Sequence, residues 1–206
     1  MYTIRNWRGK FINNIINKLE LKSYLELGIS VGECWREIEL ENKVGIDNCV
    51  QIGDNRIIST TTDEYFESID ESKKFDLVFI DADHEKNQVF RDFYNSYDHL
   101  EDDGIILLHD INPIDESNII PERLGNAYEF WIDLVDKCEK NCGVFVAFPE
   151  EMEGSIGVFF KKNSGFDKDN FGEIIHRYSD IDNNRDKYVK NIQLTEEKIK
   201  EIKNKK

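Results

Sequence analysis

Two groups of acidic and hydrogen-bonding side chains stand where apolar runs end. Asp81, Asp83 and His84 close the run FDLVFID, and His109, Asp110 and Asn112 close GIILLHD. If the runs are neighbouring strands, the groups meet at one sheet edge as a metal cradle. Carboxylates and an amide suit Mg2+ or Ca2+, and His109 would also admit a transition metal. Histidine exchanges protons near neutral pH, so His84 and His109 are both candidates for a general base. Each could equally be a hydrogen-bonded structural residue, and a bound metal could loosen a hydroxyl proton instead.

Upstream, Tyr24-Leu-Glu-Leu-Gly-Ile-Ser-Val-Gly-Glu puts a carboxylate at a strand end and glycines at 28 and 32 in the turn that follows. Glycine there lets the backbone approach a ligand closely. A dinucleotide-binding turn reads G-x-G-x-x-G, whereas this one reads Glu26-x-Gly28-x-x-x-Gly32. A carboxylate in the first glycine's place repels a pyrophosphate but accepts hydrogen bonds from a cationic amino-acid group, directly or through water. S-adenosylmethionine has such a group and no phosphate. Asp47 ends the next strand, in VGID, nineteen residues beyond Gly28. A carboxylate there can accept both hydroxyls of a ribose.

These residues need a scaffold. From Tyr24 onward the runs YLELGI, KVGID, NRIIST, FDLVFID and GIILLHD alternate with segments of helical character, the signature of a parallel sheet. GVFVAF and SIGVFFK follow, separated by PEEMEG, short enough for an antiparallel return. The expected fold is α/β and Rossmann-like: a seven-stranded, mostly parallel sheet with helices on both faces and one antiparallel edge strand. Phe11, Ile12, Ile15, Ile16 and Leu19 predict a packing helix over 10–20. Arg5, Trp7, Arg8 and Lys10 before it read as a solvated arm in preference to a substrate entrance. Further helices are expected around Val89–Leu100 and over Pro121–Lys140. Residues 112–126 lack periodicity and form the candidate substrate loop. His99 and His176 read as packing or surface residues, and Cys138 and Cys142 as buried apolar ones.

The expected organisation is an arm and helix over 1–22, a binding domain over 23–162 and a polar extension over 163–206. Short helices are expected in that extension around Phe171–Tyr178 and over Thr195–Lys203.

The chain has 206 residues and a formal net charge of −15. Residues 161–206 hold 12 basic against 9 acidic side chains, so the body carries −18. Such a body repels a phosphate backbone, which argues against nucleic acid as a partner and leaves only the lysine-rich end to attract one. The four cysteines form no CxxC pair, no signal peptide is evident and no window reaches membrane-spanning length, so a reduced cytoplasmic setting is expected.

The blocks LELGISVGE, VGID, TTTDEYF and FDLVFIDADHEKNQVFRDFYNSYDHLEDDGIILLHDINP resemble the class I S-adenosylmethionine-dependent methyltransferases, within them methyltransferase family 24. The resemblance implies that Glu26, Gly28, Ser30 and Gly32 surround the methionine part, with Asp81 beside them. Asp47 would hold the ribose, and Thr62 with Asp63 the adenine edge. The threonine run could equally cap a helix, or one residue could do both. Metal-dependent relatives of the catechol-type and macrolide-sugar kinds hold a metal with acids after the fourth and fifth strands, places matched by Asp81 and Asp110. Catechol-type enzymes have adjacent Asp-Asn, whereas this chain reads His-Asp-Ile-Asn, which leaves the third ligand open.

The implied activity is methylation of a sugar or other small-molecule hydroxyl, with Mg2+ or another divalent metal as an optional companion. The implied partner is a saccharide or other small molecule, and a homo-oligomer is compatible. The competing reading is a non-catalytic module that binds the nucleoside without turnover. A dinucleotide oxidoreductase is disfavoured by the missing glycine pattern.

Overall fold

The computed structural model describes residues 7–146, 155–171 and 175–190. Helix α1 (Trp7–Leu19) precedes β1 (Tyr24–Leu27), β2 (Lys43–Ile46), β3 (Ile57–Ile58), α2 (Thr62–Ser68), β4 (Phe75–Ile80), α3 (Lys86–Asp98) and β5 (Leu100–Leu108). Then come α4 (Ala127–Cys138), β6 (Cys142–Val146), β7 (Ser155–Phe160), α5 (Tyr178–Asp182) and α6 (Arg185–Tyr188).

The strands form one sheet in the order β3-β2-β1-β4-β5-β7-β6. The first five run parallel, and β7 is antiparallel to both of its neighbours. The seven-stranded, mostly parallel Rossmann-like sheet is therefore as expected. The antiparallel strand lies one place in from the edge, between β5 and β6.

Alternate residues of each central strand feed opposite cores, the period-two consequence of the pleat. Leu77, Phe79, Ile105 and Leu107 pack with Phe11, Ile12, Ile15 and Trp35 on one face. Val78, Ile80, Ile106 and Leu108 pack with Phe93, Trp131 and Leu134 on the other. Helix α1 thus buries the predicted apolar stripe. It begins at Trp7, however, so Arg8 is a helical residue and no solvated arm: its guanidinium is turned inward, onto Asp81.

Helix α4 starts six residues later than Pro121 because Gly125 adopts φ +53° and packs against His84, where a Cβ would lie 2.4 Å from the carbonyl oxygen. Residues 172–174 of the helix expected around Phe171–Tyr178 lie outside the described residues, 175–177 are not helical, and α5 starts at Tyr178. The one expected over Thr195–Lys203 lies outside the described residues. His99 caps α3 with Nδ1 2.9 Å from the Lys73 carbonyl, and His176 meets Asp133 at 2.5 Å. Among the described residues no helix is long and apolar enough to cross a membrane.

Candidate active site

Parallel strands put their carboxyl ends on one edge, and the register places Leu27 of β1 beside Ile46 of β2 and Ile80 of β4, with Leu108 of β5 beside Ile80. The residues immediately beyond these ends are Gly28, Asp47, Asp81 and His109. Gly28 takes φ +89°, and a Cβ on it would stand 2.1 Å from the Asp81 carbonyl oxygen, so only glycine lets these two strand ends meet. Gly32 takes φ +76° and lies against Ile52. Between them Ser30 is held at φ +50°. Asp47 supports this turn: its Oδ2 accepts the amides of Ile29 at 2.8 Å and Ser30 at 2.7 Å, and its Oδ1 accepts that of Cys49 at 2.6 Å. A carboxylate has about four acceptor sites, so one remains for a ligand.

Of the two cavities that meet at Gly28, the wider, about 560 Å³, runs from Gly28 and Asp47 past Thr60–Asp63 to His84 and Gln88. Thr61 is the N-cap of α2, closing a capping box with Glu64, while Thr62 and Asp63 each accept from the Gln88 amide, at 3.1 and 3.3 Å. The cap and the cavity wall are thus adjacent residues of the same run. Gln88 escaped the sequence reading because its position, in the first turn of α3, acquires meaning only once α2 is packed beside it.

The second cavity, about 350 Å³, is lined by Arg8, Glu26, Ser30, Asp81, His109 and Asp110 among others, and shares Gly28, Ala82 and His84 with the first. Glu26 is buried and accepts the Tyr24 hydroxyl at 2.7 Å. Burial pushes its carboxyl up to about 8, against the opposing pull of that hydrogen bond.

At the far wall, His84 Nε2 lies 3.0 Å from Asp110 Oδ2. His109 Nδ1 lies 2.8 Å from Asp110 Oδ1 and 3.2 Å from Asp81 Oδ1, although its N–H is aligned with neither oxygen, so the contact is an ion pair without a well-formed hydrogen bond. Burial opposes the charged ring, yet the two facing carboxylates raise His109 to about 10. Burial likewise works against ionised Asp81, but His109 and Arg8 hold it below the usual carboxylate range. Asp110 itself sits at φ +58°, a strained position for a residue with a Cβ and of a kind that clusters at functional sites.

A sequence model described as a methyltransferase domain matches residues 25–111. That segment is therefore similar to a methyltransferase domain. No curated protein sequence matches the chain. The fold of this chain is similar to that of the O-methyltransferase from Bacillus cereus in complex with SAH (14% identity, TM-score 0.55, covering 77% of this chain and 83% of that one). It is also similar to the SAH-bound Podospora anserina methyltransferase PaMTH1 (18% identity, TM-score 0.54, 79% and 80%). A third is the MycE methyltransferase of the mycinamycin pathway in complex with Mg and SAH (16% identity, TM-score 0.51, 84% and 54%).

The residues present fit S-adenosylmethionine: backbone without side chains at Gly28 and Gly32, an acceptor site left on Asp47 and a buried carboxyl at Glu26. They fit a divalent cation as well. One ligand atom each from Asp81, His84 and Asp110 lie within 4.8 Å of one another, and two carboxylates with an imidazole suit Mg2+, Mn2+ or a later transition metal. Asn112 is not part of that set. Its Nδ2 donates to Ser155 at 3.1 Å and its Oδ1 accepts from Arg185 at 2.7 Å, so the amide is spent on structure.

Proposed function

We propose that this chain transfers the methyl group of S-adenosylmethionine to a hydroxyl oxygen of a small molecule, a saccharide being the first candidate class. The observation that carries this reading is the junction of the two cavities at Gly28, Ala82 and His84. A nucleoside along Asp47 and Thr62–Asp63, with its amino-acid end toward Glu26, brings the sulfonium methyl to that junction. An acceptor in the second cavity meets it from the Asp81–Asp110 side.

Methyl transfer is an in-line displacement: the acceptor oxygen bonds to the methyl carbon, the carbon–sulfur bond breaks onto sulfur, and the hydroxyl proton leaves. Much of the rate comes from alignment. The side chain best placed to take the proton is His84, which lines both cavities. Asp110 beside Nε2 favours the proton there and leaves Nδ1 as acceptor. His109, raised to about 10 between its two carboxylates, holds no lone pair for the task at neutral pH and serves as their counter-charge.

Asp81, His84 and Asp110 would hold a divalent cation, which supplies Lewis-acid polarisation of a hydroxyl. The two roles of His84 exclude one another, because an imidazole that gives Nε2 to a cation keeps its proton on Nδ1. Methyl transfer from labelled S-adenosylmethionine to a panel of glycosides and phenols, run with Mn2+ or with chelator, tests the proposal. Transfer that His84→Ala reduces at least about 100-fold supports it. Cofactor binding without transfer to any hydroxyl overturns it in favour of a non-catalytic module.

A further inference from the structure

The acceptor cavity contains a cation supplied by the chain itself. Among the described residues lining either cavity, Arg8 is the one Lys or Arg. It comes from outside the segment that carries the methyltransferase match, on α1, and its Nη1 donates to Asp81 Oδ2 at 2.6 Å. Both side chains are largely enclosed, 25% and 14% exposed.

The position is built. Phe11, Ile12, Ile15 and Ile16 bury one stripe of α1 in the core. At Gly9 a Cβ would stand 2.4 Å from that of Glu37, so the helix can approach the turn at Trp35–Glu37 only because residue 9 has no side chain. Asn13 then clamps the same turn, donating to the Glu37 carbonyl at 2.6 Å and accepting the Glu39 amide at 3.2 Å. With α1 anchored at both points, residue 8 is delivered to the mouth of the acid pair.

All four oxygens of that pair then have a cationic or hydrogen-donating neighbour. Asp110 Oδ2 faces His84, Asp110 Oδ1 and Asp81 Oδ1 face the buried His109, and Asp81 Oδ2 faces Arg8. His84 can turn from neighbour to ligand without leaving. Arg8 cannot: a guanidinium has no lone pair to coordinate with and stays charged at any working pH. A divalent ion drawn to Asp81 therefore meets a fixed positive charge 2.6 Å from one of its oxygens, and the two cations compete for the same carboxylate.

We infer that Arg8 is a resident counter-cation of Asp81 that competes with the divalent ion for that carboxylate. The inference rests on Asp81, His84 and Asp110 being the cation site. Arg8 thereby couples ion occupancy to the seating of α1 over the acceptor cavity, and it sets a threshold ion concentration below which the site stays self-neutralised.

The test is Mn2+ binding to the full chain without cofactor, read from the electron paramagnetic resonance signal of free Mn2+, so no substrate is needed. Circular dichroism confirms that each variant is folded. Arg8→Gln is expected to bind Mn2+ roughly tenfold tighter than wild type, the scale of losing one close like charge. Arg8→Lys, which keeps the charge on a shorter head without the fork, tightens by less. Lys18→Gln, the same charge change on an exposed residue at the far end of α1, leaves binding unchanged. Asp110→Asn abolishes saturable binding. Equal affinity in wild type and Arg8→Gln, with Asp110→Asn still deficient, overturns the competition while leaving the cation site standing. No saturable binding to wild type or Arg8→Gln removes the cation site and the inference together.

Discussion

The Asp47 carboxylate accepts the Ser30 amide at 2.7 Å while Ser30 stands at φ +50°, so a residue at the end of β2 holds a strained residue in the turn after β1. A non-glycine residue in the left-handed region costs on the order of 1 kcal/mol or more, and two amides fixed on one carboxylate oxygen offset it. The turn is shaped before a ligand arrives.

Gly28 allows no side chain. Gly28→Ala combines an unfavourable φ with a Cβ 2.1 Å from a backbone oxygen of the adjacent strand end. A loss of about 2–4 kcal/mol in urea unfolding is expected. Failure of S-adenosylhomocysteine to stabilise the variant should accompany it. An alanine variant as stable as wild type would contradict the described approach of β1 and β4.

Glu26 should release a proton when the cofactor binds. Burial holds its carboxyl at about 8, so at pH 7 the free protein carries it largely protonated. An ammonium group brought beside it favours the ionised form. Calorimetric titrations with S-adenosylmethionine in buffers of different ionisation enthalpy should show release of a fraction of a proton at pH 7. Glu26→Gln should abolish that release. A buffer-independent enthalpy for wild type would exclude this placement of the methionine end.

Asp92 lies behind the Thr62–Asp63 wall of the wider cavity, fully buried on α3 and accepting from Gln88 at 3.0 Å. Burial raises its carboxyl from the usual 3.8 to about 6, against the pull of Thr62 and Gln88. The fold keeps this proton to higher pH than the unfolded chain does. Its contribution is therefore most favourable below pH 3.8 and is lost as pH climbs to about 6, a change of about 3 kcal/mol. Asp92→Asn should remove that decline, leaving the variant more stable than wild type at pH 7 in thermal unfolding. Identical pH profiles would show that Asp92 is ionised in the fold.

Arg185 pins the candidate substrate loop. It donates to Asn112 at 2.7 Å and to the Pro113 carbonyl at 2.8 Å, just beyond the acid pair, and Tyr178 donates to the Ile114 carbonyl at 2.7 Å. Arg185→Gln should speed tryptic cleavage at Arg123 several-fold while changing S-adenosylhomocysteine affinity less than about twofold. Unchanged cleavage would mean that the loop is held by other contacts.

The strands were legible because buried parallel strands are near-continuous apolar runs, and the acids that end them mark the edge where ligands bind. The hairpin-like pairing of the last two strands was legible too, but not which of them touches β5, since that depends on how the chain crosses the sheet. Arg8 and Asp81 are 73 positions apart, and nothing local to Trp7–Lys10 distinguishes an inward-facing arginine from a solvated one. The open question of Asn112 as a third ligand is answered only by a side chain 73 residues later, which takes its oxygen. Contacts of that separation are set by helix docking, to which hydrophobic periodicity assigns a face but no partner.

If the turn held by Asp47 seats the cofactor, calorimetric titration of S-adenosylhomocysteine into wild type and Asp47→Ala will report it. Removal of the carboxylate takes away the anchor of Ile29 and Ser30 together with the acceptor site left for a ribose. Saturable one-to-one binding to wild type, weakened at least about 100-fold in a folded Asp47→Ala, is the result predicted. Undetectable binding to wild type, or equal affinity in the two proteins, would contradict it.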